Sequence, residues 1–208
     1  MEAKKARVRN ILAGLQKTYP DAHCELNYSN PLELLIATIL SAQCTDSRVN
    51  MVTPALFAKY KTVRDYAEAD PAELEALIHA TGFFRNKAKA IIGLAHALLA
   101  DHGGEVPEAM DDLVKLPGVG RKTANVVRSV WFHRPAIPVD THVQRLAGRL
   151  GLTKKTDPVE IEMALQKLVP EEDWSFAATA LILHGRRVCF ARNPQCVTCA
   201  LRPDCPFP

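Results

Sequence analysis

The chain has 208 residues, of which 48% are hydrophobic and 24% charged, with a formal net charge of +3. These are the averages of a globular protein with a sizeable core, so wholesale disorder and a fibrous repeat are excluded. The longest strongly apolar run, Leu34 to Leu40, falls far short of the roughly 18 to 20 residues that span a bilayer, and Met1 to Arg9 leads into no signal-type segment, so a soluble, cytoplasmic chain without a membrane partner is expected.

In chain order, a basic cluster of Lys4, Lys5, Arg7 and Arg9 comes first. Asn30-Pro31-Leu32-Glu33 then marks a helix start, because an Asn side chain accepts from orphan backbone N–H groups and proline costs nothing at the first helical position. Asp70-Pro71-Ala72-Glu73 and Asp157-Pro158-Val159-Glu160 repeat the pattern, and Thr53-Pro54 is read as a further start. Gly82 after Leu74 to Ala80, Gly103-Gly104 after Asn86 to Leu99, and Gly151 after Val143 to Leu150 mark the stops. Leu32, Leu35, Ile36, Ile39 and Leu40 recur at helical steps, as do Ile91, Leu94, Ala95 and Leu98, and no sustained alternation of period two occurs. The expected class is all-α, with boundaries before Asn30 and at Pro135-Ala136-Ile137-Pro138.

Two constellations carry chemistry. In Leu116-Pro117-Gly118-Val119-Gly120-Arg121-Lys122-Thr123-Ala124-Asn125, two glycines permit a tight turn, and the helical run after it aims its N-terminal amides back at that turn. That geometry suits an anion. The spacing matches neither a nucleotide P-loop nor a dinucleotide fingerprint, so the phosphate of a polymer is the implied ligand, although a plain glycine connection between helices explains the turn equally well. Lys122 either holds phosphate or acts as a nucleophile. Asp140, in Pro138-Val139-Asp140-Thr141-His142, reads by itself as the N-cap of the next helix.

The second constellation is Cys189-x6-Cys196-x2-Cys199-x5-Cys205. Four thiolates at this spacing suit tetrahedral zinc or a four-iron cluster, and the spacing by itself slightly favours zinc on base rates. Arg186, Arg187, Arg192 and Arg202 against Asp204 give residues 184–208 the whole formal excess of the chain, which points to an anionic partner. Cys24 and Cys44 stand apart and default to small buried hydrophobes.

Together with Leu40-Ser41-Ala42-Gln43-Cys44-Thr45-Asp46, Gly104-Glu105-Val106-Pro107 and Leu183-His184-Gly185-Arg186, these motifs resemble the helix-hairpin-helix DNA glycosylases and, among them, the endonuclease III group of combined glycosylases and abasic-site lyases. The resemblance covers nearly the whole chain. It implies two all-α domains flanking a DNA-binding cleft: a helical barrel over 24–134 that holds the helix-hairpin-helix at about 111–130, and a second domain made of 1–23 and 135–208. It also implies a [4Fe–4S] cluster on Cys189, Cys196, Cys199 and Cys205. Lys122 looks like the nucleophile of the family and Asp140 like its carboxylate. A free lysine, with a pKa of about 10.4, is mostly protonated at neutral pH, so the helix N-terminus, burial or a neighbouring cation has to favour the amine.

Gln43 resembles the residue that fills the gap left by an extruded base, and Phe83 stands where leucine is the familiar wedge, with core packing as its bland alternative. Gly118, Val119, Gly120, Arg121, His142, Arg186 and Arg192 are the further expected DNA contacts. The implied substrate is an oxidised pyrimidine in damaged double-stranded DNA, with a monomeric enzyme working at the bacterial nucleoid. Adenine glycosylases share the hairpin and cluster but lack a lysine at position 122 and carry an additional C-terminal domain that this chain, ending at Pro208, is not expected to have. A non-catalytic DNA-binding module is the remaining alternative.

Overall fold

Asn30, Asp70, Asp140 and Asp157 each turn a side-chain oxygen onto the first N–H groups of the helix that follows. Those bonds start four of the eleven helices in this computed structural model, which describes residues 2–207 with side chains from Lys4 onward. The helices are α1 (Glu2–Thr18), α2 (Pro31–Leu40), α3 (Asp46–Lys59), α4 (Val63–Ala67), α5 (Pro71–Ile78), α6 (Phe84–Asp101), α7 (Met110–Leu113), α8 (Arg121–Val130), α9 (Thr141–Arg149), α10 (Pro158–Gln166) and α11 (Trp174–Arg187). Short 3-10 turns occupy His79–Thr81, Glu171–Asp173, Cys196–Thr198 and Arg202–Asp204. Among the described residues there is no strand, and no helix is long and apolar enough to cross a membrane.

The chain divides into two compact units, one of residues 25–133 and one that joins 1–24 to 134–208. In the first, α2 is buried from Leu32 to Leu40 apart from Glu33, so it is enclosed on every side rather than along one stripe. It packs against α3, α6 and α8. Burying Leu34, Leu35, Ile36 and Leu40 contributes about 1.5–3 kcal/mol each, so α2 anchors the loops at its ends. In the second unit, Val8, Ile11 and Leu15 of α1 meet Val143, Leu146 and Leu150, Ile161 and Leu165 of α10, and Ala177, Ala178 and Leu181 of α11 in one core.

Thr53-Pro54 is not a helix start. Thr45 caps α3, accepting from Arg48 N–H, and Pro54 lies inside the helix. The buried positions Val49, Thr53 and Leu56 lie on one face, and their packing outweighs the single ladder bond that Pro54 cannot make. The helix expected from Asn86 begins at Phe84, because Phe83 takes a left-handed φ of 47° as its N-cap residue. Cys24 and Cys44 are half-buried rather than core residues.

Candidate functional site

In the unit of residues 25–133, the backbone leaves α2 through Ser41 and Ala42 and turns sharply at Gln43, whose φ is +52°. A second turn follows the 3-10 segment at Thr81, through Gly82 at +69° and Phe83 at +47°. A left-handed φ is uncommon outside glycine, and two such residues cost on the order of 1–3 kcal/mol each and persist only where their surroundings hold them. Gln43 is exposed, and with Thr45, Arg48, His79 and Gly82 it lines one open groove. Phe83 is 62% exposed, which excludes core packing as the reason for its presence. Phe84 turns inward instead, with its ring 4.4 Å from that of His79 and the Arg85 guanidinium 5.6 Å above it.

Beneath both turns lies a residue the sequence reading passed over. Lys87 is only 5% exposed, and its Nζ donates to Leu40 O at 2.8 Å and to Thr81 O at 2.9 Å. Burial lowers its pKa from the ordinary lysine value, and the neighbouring Cys44 thiol acts in the opposite direction. A signal for it exists in the sequence: the apolar stripe Ile91, Ala95 and Leu98, followed backwards by one helical step of four residues, meets a charge at Lys87.

The glycine turn lies between α7 and α8. Gly118 has φ +77°, and a Cβ there would stand 2.8 Å from Ala90 Cβ, so both the turn and its seat on α6 require glycine. Gly93, a turn further along α6, faces Pro117, its own Cβ position lying 3.4 Å from the proline ring. Val119 is a buried residue whose N–H is bonded to Leu116 O, so neither its side chain nor its N–H reaches outward as a contact. The first ladder bond of α8 runs from Ala124 N–H to Gly120 O, leaving the amides of Lys122 and Thr123 ahead of the ladder with the positive end of the helix dipole. Arg121 and Lys122 are exposed.

In the other unit, Asp140 caps α9 with Oδ1 alone, accepting from His142 and Val143 N–H at 2.8 Å each, so Oδ2 stays available. The capping role that the sequence offered Asp140 is real and occupies one of its two oxygens. Arg145 donates to His142 Nδ1 at 3.1 Å, which leaves the proton of a neutral ring on Nε2. The same guanidinium binds Gly185 O and Cys189 O. Gly185 has to be glycine, since a Cβ would lie 2.8 Å from the His142 ring. Arg186 is half-buried in the last turn of α11, and Arg192 is exposed in the loop beyond it.

All four C-terminal cysteines line one small cavity, together with Arg149, His184 and Phe207. Arg149 donates to Cys189 Sγ at 3.3 Å and to the carbonyls of Phe190 and Ala191, and its guanidinium lies 4.5 Å from the Phe207 ring centre. His184 Nε2 is 3.3 Å from Cys199 Sγ, and its Nδ1 is 3.1 Å from the Tyr19 hydroxyl. Burial lowers the His184 pKa, and a neutral ring then passes a chain of hydrogen bonds from Tyr19 O–H to the sulfur. Burial raises the Cys199 pKa, an N–H bond from Leu201 lowers it, and the other three sulfurs raise it further, so four thiolates here call for a cation among them. Among the described residues no three His, Cys, Asp or Glu side chains are grouped so as to hold a single ion.

Residues 36–171 match the model of the HhH-GPD superfamily base excision DNA repair protein family. An endonuclease III of Synechocystis is 54% identical over 207 residues, which is 99% of this chain and 94% of that protein. One of Bacillus subtilis is 53% identical, covering 90% of this chain and 86% of its own length. The solved structure of a trapped endonuclease III–DNA covalent intermediate, an estranged-adenine complex, superposes with a TM-score of 0.94 at 50% identity, covering 97% of this chain and 95% of that one.

The glycine turn makes a paired prediction about stability. Gly118→Ala is expected to lose about 1–3 kcal/mol, from a strained φ and a collision with Ala90. Gly120→Ala, at φ −88° with nothing within 4 Å, is expected to stay within about 0.5 kcal/mol, a small capping loss offsetting a stiffer unfolded chain. Urea unfolding of both variants checks this, and equal losses would remove the special role of Gly118.

Proposed function

The chain belongs to the HhH-GPD superfamily of base excision DNA repair proteins, and from that premise we propose that Lys122 and Asp140 carry out its chemistry on a nucleotide extruded from the duplex. It is a DNA glycosylase and abasic-site lyase of the endonuclease III type, and damaged double-stranded DNA is its substrate. A base stacked in a duplex is beyond reach, so the nucleotide is turned out, at a cost of a few kcal/mol that falls when the lesion already weakens stacking. Oxidised pyrimidines are the proposed lesions and the bacterial nucleoid the place of work.

Lys122 attacks C1′ of the sugar as a neutral amine. The C1′–N bond breaks, the base leaves and takes a proton from water, and the C1′–O4′ bond then opens to a protonated imine on Nζ as the proton that Asp140 took from the amine passes to O4′. The imine acidifies the C2′ proton, whose removal expels the 3′ phosphate by β-elimination. Asp140 takes the proton of the amine and stabilises the cationic sugar through the oxygen its cap leaves available. The observation that carries this reading is the exposed lysine in the first turn of α8, beside amides ahead of the ladder and directly after the Gly118 turn. Those amides, with Gly118, Gly120 and Arg121, bind the backbone phosphate, and the buried Val119 supports the turn from within.

Gln43 enters the gap left by the extruded base, and Phe83, apolar and held in water, inserts between base steps. His142, through the Nε2–H fixed by Arg145, and Arg186 and Arg192 act on phosphate.

The four cysteines fit a [4Fe–4S] cluster. Four soft thiolate ligands suit that cluster, and the likeness to endonuclease III is what favours it over tetrahedral zinc. Bound there, the cluster would lock together a C-terminal loop that has little core of its own. Arg149 and His184 are oriented to donate to two of its sulfurs.

Borohydride reduction on a duplex carrying one oxidised pyrimidine should trap a covalent adduct with the parent protein and none with Lys122→Gln. An adduct formed by Lys122→Gln would move the nucleophile elsewhere. Asp140→Asn keeps a good capping side chain, so it is expected to bind abasic DNA normally while turnover falls about 10²–10⁴-fold, as measured by single-turnover base release. The purified protein should be yellow-brown, with iron and sulfide in equal amounts and visible absorption lost on chelation. A colourless protein with stoichiometric zinc would replace the cluster by a zinc site.

A further inference from the structure

The Lys87 ammonium is a costly thing to bury. Its recorded partners are two main-chain carbonyls rather than a carboxylate, so no opposite charge offsets the loss of water. On the apolar stripe of α6, a methionine would fill the same volume without that cost. The two carbonyls are particular, however. Leu40 is the last residue of α2 and Thr81 the last of the 3-10 turn, so each oxygen belongs to a helix end that has run out of N–H partners. One ammonium with three donors satisfies both and sits at the negative end of α2.

Three residues beyond Leu40 is Gln43, and two beyond Thr81 is Phe83, each at a left-handed φ and each exposed. A tether at the root of both turns restrains the strained backbone that follows. Resting on the reading of Gln43 and Phe83 given above, we propose that Lys87 is a positioning residue of the repair reaction, whose ammonium ties the end of α2 to the end of the 3-10 turn and so sets the spacing of Gln43 and Phe83 about the extruded nucleotide.

The test separates extrusion from the chemistry that follows it. A duplex with one oxidised pyrimidine has a base to unstack, whereas the same duplex with an abasic site has none, so the spacing of the two turns matters more for the first. Single-turnover base release on the lesion is compared with strand cleavage at the abasic site, and a 2-aminopurine beside the lesion reports unstacking. For Lys87→Met, the ratio of the two rates should fall by about tenfold or more relative to the parent, with the fluorescence rise slowed equally. Lys87→Arg, which keeps donors for both carbonyls, should recover the ratio to within about threefold.

Equal slowing on both duplexes, or an unchanged ratio, would overturn the proposal and leave Lys87 a purely structural anchor. If Lys87→Met loses its thermal transition or its far-ultraviolet helical signal, Lys87→Gln, with a donor for one carbonyl, is read in the same way. A parent protein that releases no base from the lesion but binds the duplex would overturn the glycosylase reading itself, and this inference with it. Failure of the Lys87 variants alone, with an active parent, overturns only the tether.

Discussion

Each helix leaves several N–H groups at its start and several C=O groups at its end without a partner in its own ladder, and the chemistry proposed for this protein is built on those ends. Asp140 accepts from the start of α9, Lys122 stands at the start of α8, and Lys87 donates to the ends of α2 and the 3-10 turn. The first of the four cysteines follows the same rule: Cys189 N–H bonds back to His184 O as α11 runs out. An all-helical chain has no strand ends on which to mount reactive groups, so its polar functions concentrate where the ladders stop.

That arrangement decides which parts are legible from sequence. Asn30, Asp70 and Asp157 cap the helices their spacing announces, because a cap is a contact over two or three residues and depends on nothing remote. Thr53-Pro54 shows where the same logic fails, since the buried face of α3 carries the helix through the proline. Arg145 and Arg149 were invisible for the opposite reason. Their partners lie about forty residues away, and nothing local to either arginine names a carbonyl or a sulfur. Lys87 is intermediate: its misfit with the apolar stripe is local, but its partners are not.

Asp140 illustrates how one residue carries two readings without conflict. A cap needs one acceptor oxygen, and a carboxylate has two. The two N–H bonds to Oδ1 orient the group and hold it beside the start of α9, while Oδ2 is left for the developing cation of the proposed reaction. A rigidly held carboxylate costs less reorganisation when charge appears than a mobile one does. The cap is thus part of what makes the residue useful, and a capping position in a sequence does not count against a catalytic one.

The same economy governs the C-terminal charge. Residues 184–208 have a formal excess of three positive charges only while their four cysteines are counted as neutral. Four thiolates without a metal would reverse its sign. Two of its arginines also have partners within the chain, Arg202 donating to Phe207 O and Arg187 lying over the Tyr19 ring, while Arg149 of α9 donates to a sulfur and two carbonyls. On the reading proposed above, the exposed Arg192 meets phosphate against a background set by the four sulfurs. Iron among those sulfurs would offset part of their charge, and without it they would repel the same phosphate. Cluster loading and the attraction of this loop for DNA would on that account be one electrostatic quantity, not two independent properties.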